Sequence, residues 1–390
     1  MTARPGARDV SGFEAVRAAW RWDEVTRRIE ATRPADVDRA IARSGRRSPD
    51  DFLALVSPAA AAFLEPMAVE AAAQTRRRFG HAMQLYAPIY LSNECNNVCT
   101  YCGFSREIPI ARTTLDGEAI EIEADALAAL GFDHVLVVTG EAPERVDVPY
   151  LARAIDRLRP RFSQIGVEVQ PLDEDGYAAL LDHGLSSVTV YQETYHRETY
   201  REHHPKGPKA SFDYRLGTPE RASRAGVSRI GLGCLLGLEA FRTDAAFVAL
   251  HLDWLERACW RSRYSISFPR LRPHAGERPP KVEVSDRDLL QLVLAFRIFD
   301  PEVELVLSTR ESPRFRDHVC TLGITTMSAG SRTNPGGYSG GQRASLEQFS
   351  IHDERTPAQV AAMLDRRGLQ PVFKDWDAAY DRDAARIAST

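Results

Sequence analysis

The 390-residue chain is expected to be an α/β protein built on a (β/α)8 TIM-type barrel. Eight short apolar stretches follow one another over about 250 residues, a span typical of such barrels. They are 83–92 (MQLYAPIYLS), 134–139 (HVLVVT), 164–170 (QIGVEVQ), 187–191 (SVTVY), 229–236 (RIGLGCLL), 263–268 (RYSISF), 303–308 (VELVLS) and 324–328 (ITTMS). Amphipathic segments separate them at 118–130, 149–159, 174–183, 218–225, 244–260, 285–299 and 312–320. Strands alternating with helices call for parallel pairing through helical crossovers. An open doubly wound sheet shares the alternation, but it needs a break in strand order that the sequence does not display.

The segments flanking the barrel differ in composition. Residues 1–80 read as a helical extension. Asp23 to Glu30 and Ala35 to Arg43 carry the helix period on either side of Pro34. Asp50 or Asp51 is placed to cap a segment through Leu55, and Pro58 opens an alanine-rich helix, Ala59 to Arg78, that Gly80 stops. The basic run 75–80 (TRRRFG) suits a solvated helix end, where cations complement the dipole. Residues 81–330 form the barrel. From 331 to 390 the chain turns Gly/Pro/Ser-rich (SRTNPGGYSGGQRAS), resumes as a helix at 357–366 and ends in a polar tail. This last part is expected to close the barrel.

Composition narrows the function. A formal net charge of -4, with no basic tract interleaved with aromatics, gives no reason to expect nucleic acid. No run of 18 apolar residues exists to span a membrane, and the first 20 residues lack the apolar core of a signal peptide. A cytoplasmic location follows as the expectation, where thiols stay reduced.

One motif stands apart. Cys95-Asn-Asn-Val-Cys99-Thr-Tyr-Cys102 places three cysteines at C-x3-C-x2-C directly after the first strand, where a barrel carries its chemistry. A structural zinc site wants four ligands, yet the nearest other cysteine is Cys234 and the nearest downstream histidine is His134. A disulfide framework suits small secreted chains, not this one. A [4Fe-4S] cube normally takes four thiolates, so three would leave one iron open to activate another molecule. Cys234, Cys259 and Cys320 are scattered and read as small buried side chains. Polar residues also gather where other strands end: Thr139-Gly140-Glu141, Glu168 to Pro171, Tyr191 to Tyr195, Arg270 to Pro273 and Ser308 to Glu311.

The cysteine motif, with Tyr101 before its last thiol, resembles that of the radical S-adenosylmethionine superfamily. The segments FGHAMQLYAPIYLSNECNNVCTYCGFSR, GFDHVLVVTGE, VEVQPLDEDGYAALLDHGLSSVTVYQETYHRETYREHHPKG, RAGVSRIGLGCLLGL, WRSRYSISFPRLRP and LVLSTRESPRFRD narrow the likeness. They closely resemble the 2-iminoacetate synthase family, the tyrosine lyases of thiamine thiazole synthesis. The likeness runs from LVSPAAAAFLE to QPVFKDWD. The hydrogenase-maturation tyrosine lyase adds a C-terminal cluster with its own cysteines, and no cysteine follows Cys320 here. Tryptophan lyase is less similar from Tyr191 to Gly207. A tryptophan-cleaving radical lyase and a non-catalytic iron-sulfur electron-transfer or scaffold protein are the alternatives.

The resemblance implies one [4Fe-4S] cluster on Cys95, Cys99 and Cys102, with S-adenosylmethionine as cofactor. It implies that Tyr101 and Phe104 shape the adenine side, and that Gly140 and Glu141 receive the cofactor's amino group. Glu168 and Gln170 are ribose or substrate contacts on this view. Arg310 grips the substrate carboxylate, a planar bidentate task suited to guanidinium, and Tyr90 lines the amine pocket. Arg270 and Arg272 are candidates for the cofactor carboxylate, Arg272 equally for a structural ion pair. L-tyrosine is the implied substrate, thiazole synthase the consumer of the imine, and flavodoxin or ferredoxin a suitable reductant. The polar 196–215 segment and the Gly-rich 330–341 segment are candidate lids by composition.

Overall fold

A computed structural model describes residues 12–274, 279–340 and 347–373. Five helices come first: α1 (Gly12–Ala19), α2 (Trp22–Glu30), α3 (Pro34–Ala42), α4 (Pro49–Val56) and α5 (Leu64–Phe79). The repeating unit then runs β1 (Ala82–Ser92), α6 (Gly117–Ala129), β2 (His134–Thr139), α7 (Val148–Leu158), β3 (Gln164–Glu168), α8 (Glu174–Asp182) and β4 (Ser187–Thr189). Two short helices, α9 (Arg197–His203) and α10 (Phe212–Leu216), interrupt it before α11 (Thr218–Ala225). It continues with β5 (Arg229–Gly233), α12 (Phe241–Ala258), β6 (Arg263–Ser267), α13 (Asp286–Phe299), β7 (Glu304–Leu307), α14 (Pro313–Val319) and β8 (Thr326–Ser328). After the barrel come α15 (Pro357–Arg366) and β9 (Gln370–Val372).

All eight expected strands form, and every pairing is parallel. The order runs β2 to β8 and then β1, which also pairs with β2. That double pairing closes the barrel and excludes the open doubly wound sheet. Alternation in β1 shows how the sequence sorts its faces. Met83, Leu85, Ala87 and Ile89 are fully buried in the main core, while Tyr86, Pro88 and Tyr90 line an interior cavity. The β1–β2 register slips between Tyr90 and Ser92, where the chain leaves the ladder for the cysteine loop.

Several local expectations are corrected. Ser48, not Asp50 or Asp51, caps α4. Pro49 takes the first helical position, so Asp51 falls at the third, and its Oδ2 accepts from Ser48 N at 2.7 Å in a capping box. A 3₁₀ turn, Pro58–Phe63, precedes α5 in place of one continuous helix. β9 was not expected: it pairs with Ala82–Gln84 of β1, and Phe373 O accepts from Asp133 N at 3.2 Å. Part of the 331–390 extension and the second half of QPVFKDWD lie outside the described residues.

The N-terminal helices pack on the outer crossover helices, α1 and α2 on α12, α4 and α5 on α13. Buried Gln291 of α13 fastens them, donating to Leu55 O at 2.9 Å and Ser57 O at 2.8 Å. No single described helix is long and apolar enough to cross a membrane.

Candidate active site

The cysteine loop is built by close approach. Gly140 N donates to Ser92 O and Asn96 N to Glu141 O, each at 2.9 Å. A Cβ on Gly140 would overlap the Glu94 carbonyl and sit 3.1 Å from Cys95 Cβ, so only glycine lets β2 end this near the loop. Arg112 ties the loop internally, donating to Asn93 O (2.7 Å), Phe104 O (2.8 Å), Ser105 O (2.8 Å) and Ile108 O (3.1 Å). The segment after β4 clamps the other side. Val98 N donates to Lys206 O at 2.9 Å and Lys209 N to Asn97 Oδ1 at 2.8 Å. The 196–215 segment is therefore α9, a 3₁₀ turn and α10 stapled to the cysteine loop, not a free flap.

Cys95, Cys99 and Cys102 line one cavity. Burial pushes all three thiols up, Cys102 to about 11, and a neighbouring negative charge adds to it: Glu141 at Cys95, the other cysteines at Cys99 and Cys102. Thiolates gathered this way call for a multivalent cation, and thiolate is the ligand iron-sulfur clusters take. The donor set fits such a cluster. Among the described residues no fourth cysteine and no histidine lines the cavity.

Two connected chambers fill the barrel mouth. The cysteine-side chamber encloses about 820 Å³ including its opening, and the deeper one about 620 Å³. They share Val138, Glu168, Tyr191, Pro269, Arg310 and Phe349. Tyr86, Tyr90, Ser267, Ser308 and Ser328 belong to the deeper chamber alone. Tyr101, Phe104, Gly140 and Glu141 line the cysteine side. Tyr101 OH bonds His204 Nε2 at 2.6 Å. Burial holds that imidazole far below its usual range, so it is neutral, and its Nδ1 faces Tyr200 O at 2.7 Å. The proton thus sits on Nδ1, and Nε2 accepts from the tyrosine.

Charged side chains concentrate here. Glu141 accepts from Arg215 Nη1 through Oε1 and from Asn97 Nδ2 through Oε2, both at 2.9 Å. Lys209 Nζ donates to Glu193 Oε1 at 2.7 Å and stands 5.6 Å over the Tyr101 ring. Burial opposes ionisation of Glu193, but Lys209 and Arg215 prevail and hold it below the carboxylate norm. Glu193 also adopts φ 70°, the one non-glycine positive φ among the described residues, where strain persists only if neighbours enforce it. Leu235 N donating to Glu193 O at 2.8 Å is part of that enforcement. Burial raises Glu168 to about 7, with Arg310 opposing. The Arg310 guanidinium carbon stands over Phe349, 3.4 Å from the ring centroid.

The structure thus gathers the three cysteines, Tyr101, Phe104, Gly140, Glu141, Glu168 and Arg310 at one chamber, with Tyr90 in the next. Three candidates lie elsewhere. The buried Gln170 side chain donates to Val146 O and lines neither chamber. Arg270 is consumed by Glu311, Asp286 and the Val284 carbonyl (2.9 Å), and Arg272 lines neither chamber. Sequence reading missed Lys209, Arg215, Gln348 and Phe349. The first two follow β4 on a three-residue 3₁₀ turn and a five-residue helix, and the last two come from the C-terminal extension.

A closed parallel barrel with an incomplete thiol set at the mouth defines a radical S-adenosylmethionine enzyme, and the Radical SAM superfamily profile matches residues 89–242. The Biotin and Thiamin Synthesis associated domain matches 267–370. The chain is 50% identical over 367 residues to 2-iminoacetate synthase of Salmonella typhimurium, covering 93% of this chain and 97% of that one. It is 50% identical over 372 residues to the Escherichia coli enzyme, covering 94% and 98%. Among solved structures, HydG, a maturase of the [FeFe]-hydrogenase, superposes with a TM-score of 0.86 at 29% identity, covering 94% of this chain and 83% of that one. The chain belongs to the 2-iminoacetate synthase family and is a radical S-adenosylmethionine lyase.

Proposed function

We propose that this protein cleaves the Cα–Cβ bond of L-tyrosine, giving 2-iminoacetate (dehydroglycine) and p-cresol for thiamine thiazole synthesis. The observation that carries the reading is the junction of the two chambers, where Arg310 and Glu168 line both and suit an amino acid's carboxylate and ammonium. Cys95, Cys99 and Cys102 would hold one [4Fe-4S] cluster, with S-adenosylmethionine on its remaining iron. When bound, these groups would supply radical chemistry able to remove a hydrogen atom from substrate.

The residues decide which hydrogen. Arg310, standing over Phe349, offers a bidentate grip on carboxylate. Glu168 accepts from the ammonium. With both ends of the α-amino acid held at the shared wall, the nitrogen points to the cysteine side and the ring enters the deeper chamber. Loss of hydrogen at nitrogen weakens the Cα–Cβ bond, and its scission leaves dehydroglycine and a 4-hydroxybenzyl fragment. One electron and one proton convert the fragment to p-cresol. Glu141 retains lone pairs beyond those used by Arg215 and Asn97, so it can still receive the cofactor's amino group. Gly140 brings it near, and Tyr101 and Phe104 form the apolar wall for adenine. Enclosure also protects the labile imine from water.

Tyr86, Ser267, Ser308 and Ser328 put hydroxyls around the deeper chamber. Such a lining suits a buried phenol and favours tyrosine over tryptophan, because unpaired polar groups disfavour the wrong ring. The three-thiol set disfavours a pure electron-transfer role. We assign the described helices within 1–80 to packing on the barrel's flank, the barrel within 81–330 to catalysis and the described part of 331–390 to closing the mouth. A cytoplasmic setting with flavodoxin or ferredoxin as reductant, thiazole synthase as consumer, and neither nucleic acid nor membrane as partner completes the proposal.

The test is anaerobic turnover of reconstituted protein with S-adenosylmethionine and dithionite, on L-tyrosine and L-tryptophan in parallel. p-Cresol and 5'-deoxyadenosine from tyrosine alone, lost in Cys99→Ala, support it. Deoxyadenosine without p-cresol contradicts the substrate, and neither product contradicts the lyase.

A further inference from the structure

We propose that Gln348 is a positioning residue that couples the substrate chamber to the cysteine ligand set, making cluster reduction responsive to bound tyrosine. The inference rests on the function proposed above and deepens it. Tyr90 OH donates to Gln348 Oε1 at 2.8 Å. The same side chain hydrogen-bonds Cys102. With its oxygen taken by the phenol, the amide presents its NH2 to the sulfur. Gln348 lines the cysteine-side chamber and Tyr90 the deeper one, so the bond between them crosses the dividing wall.

The backbone holds the bridge in place. Gln348 N donates to Thr333 O at 3.0 Å, and its carbonyl accepts from Gly103 N, next to Cys102, at 2.9 Å. A Cβ on Gly103 would stand only 2.9 Å from that carbonyl, so the approach depends on glycine. The following residue is Phe349, over which Arg310 stands. Two consecutive residues therefore touch a cluster ligand and the carboxylate grip.

The consequence is electrostatic. Hydrogen bonds donated to cluster sulfurs favour the reduced, more negative state and raise the potential. A substrate that moves Tyr90 also moves the acceptor end of Gln348, and with it the donor on Cys102. The donor already stands on Cys102 in the empty site, so a substrate that displaces Tyr90 shifts the cluster's potential.

The experiment is an EPR-monitored redox titration of reconstituted protein, with and without L-tyrosine, for wild type, Gln348→Leu and Tyr90→Phe. Gln348→Leu is expected to titrate at more negative potential, by roughly tenfold in the reduced-to-oxidised ratio, about 59 mV for one electron, with no response to tyrosine. Tyr90→Phe is expected to lose the tyrosine response as well. If Gln348→Leu fails to load iron, the Tyr90→Phe result decides, and a retained response there overturns the proposal. Wild-type protein that turns tyrosine over while both variants keep its potential and response overturns the role of Gln348 alone. Wild-type protein without cluster or products overturns the underlying function instead.

Discussion

Glu168 is the residue whose chemistry is most exposed to test. It meets no protein hydrogen-bond donor among the described residues, faces both chambers, and burial raises it to about 7 against the pull of Arg310. A carboxyl raised above its unfolded value favours folding below that value and loses the contribution as pH rises through about 7. Ionised Glu168 is thus unfavourable in the empty site and relieved by a substrate ammonium. KM for tyrosine is expected to rise as pH falls from 8 to 6, and tyrosine's thermal stabilisation to be larger at the higher pH. Glu168→Gln is expected to raise KM about tenfold or more, as for one lost charged hydrogen bond, and to flatten both profiles. Steady-state kinetics and melting curves at several pH values check this. Glu168 and Arg310 were legible in the sequence because strand ends in a barrel point at the mouth. Lys209 was not, since nothing local tells a buried lysine from a solvated one in a polar stretch.

At the scale of elements, the cysteine loop depends on what packs against it. Gly140 ends β2 against the Glu94 carbonyl, and Gly140→Ala is expected to lower iron per chain after reconstitution while leaving far-UV circular dichroism unchanged. Full iron loading would show that the loop yields without cost. The eight strands were legible because apolar period and spacing agree along the chain. α9 and α10 escaped because their residues, RETYREH and FDYRL, are polar or too few to show a period. β9 escaped because three residues carry no pattern, and its place follows from the exposed start of β1.

The whole molecule is drawn together by its C-terminal extension. His352 N and Asp353 N both donate to Thr309 O, at 2.9 and 3.0 Å, beside Arg310. Asp353 pairs with Arg316, and neither side chain is exposed at all. Arg316 also donates to Ser328 O of β8, so the pair links extension, α14 and barrel. Asp353→Ala leaves a buried guanidinium unpaired and is expected to lower stability by about 3–5 kcal/mol, measured by urea denaturation, with tyrosine affinity falling as the strap under Arg310 loosens. A loss below 1 kcal/mol would mean the extension is not integral to closure. An extension that closes the barrel is the expectation from the sequence and part of the proposal. Which of its residues enter the site was not legible there, because Gln348 and Phe349 act through contacts with residues about 250 and 40 positions away.

On the proposed function, this cavity aims radical chemistry at the substrate nitrogen. Turnover in D2O, where only N–H and O–H positions exchange, tests it most directly by mass spectrometry of 5'-deoxyadenosine. Deuterium is expected in its methyl group from unlabelled L-tyrosine in D2O, and none from β-deuterated tyrosine in H2O. Label from the β-carbon in H2O, with none acquired in D2O, would contradict it.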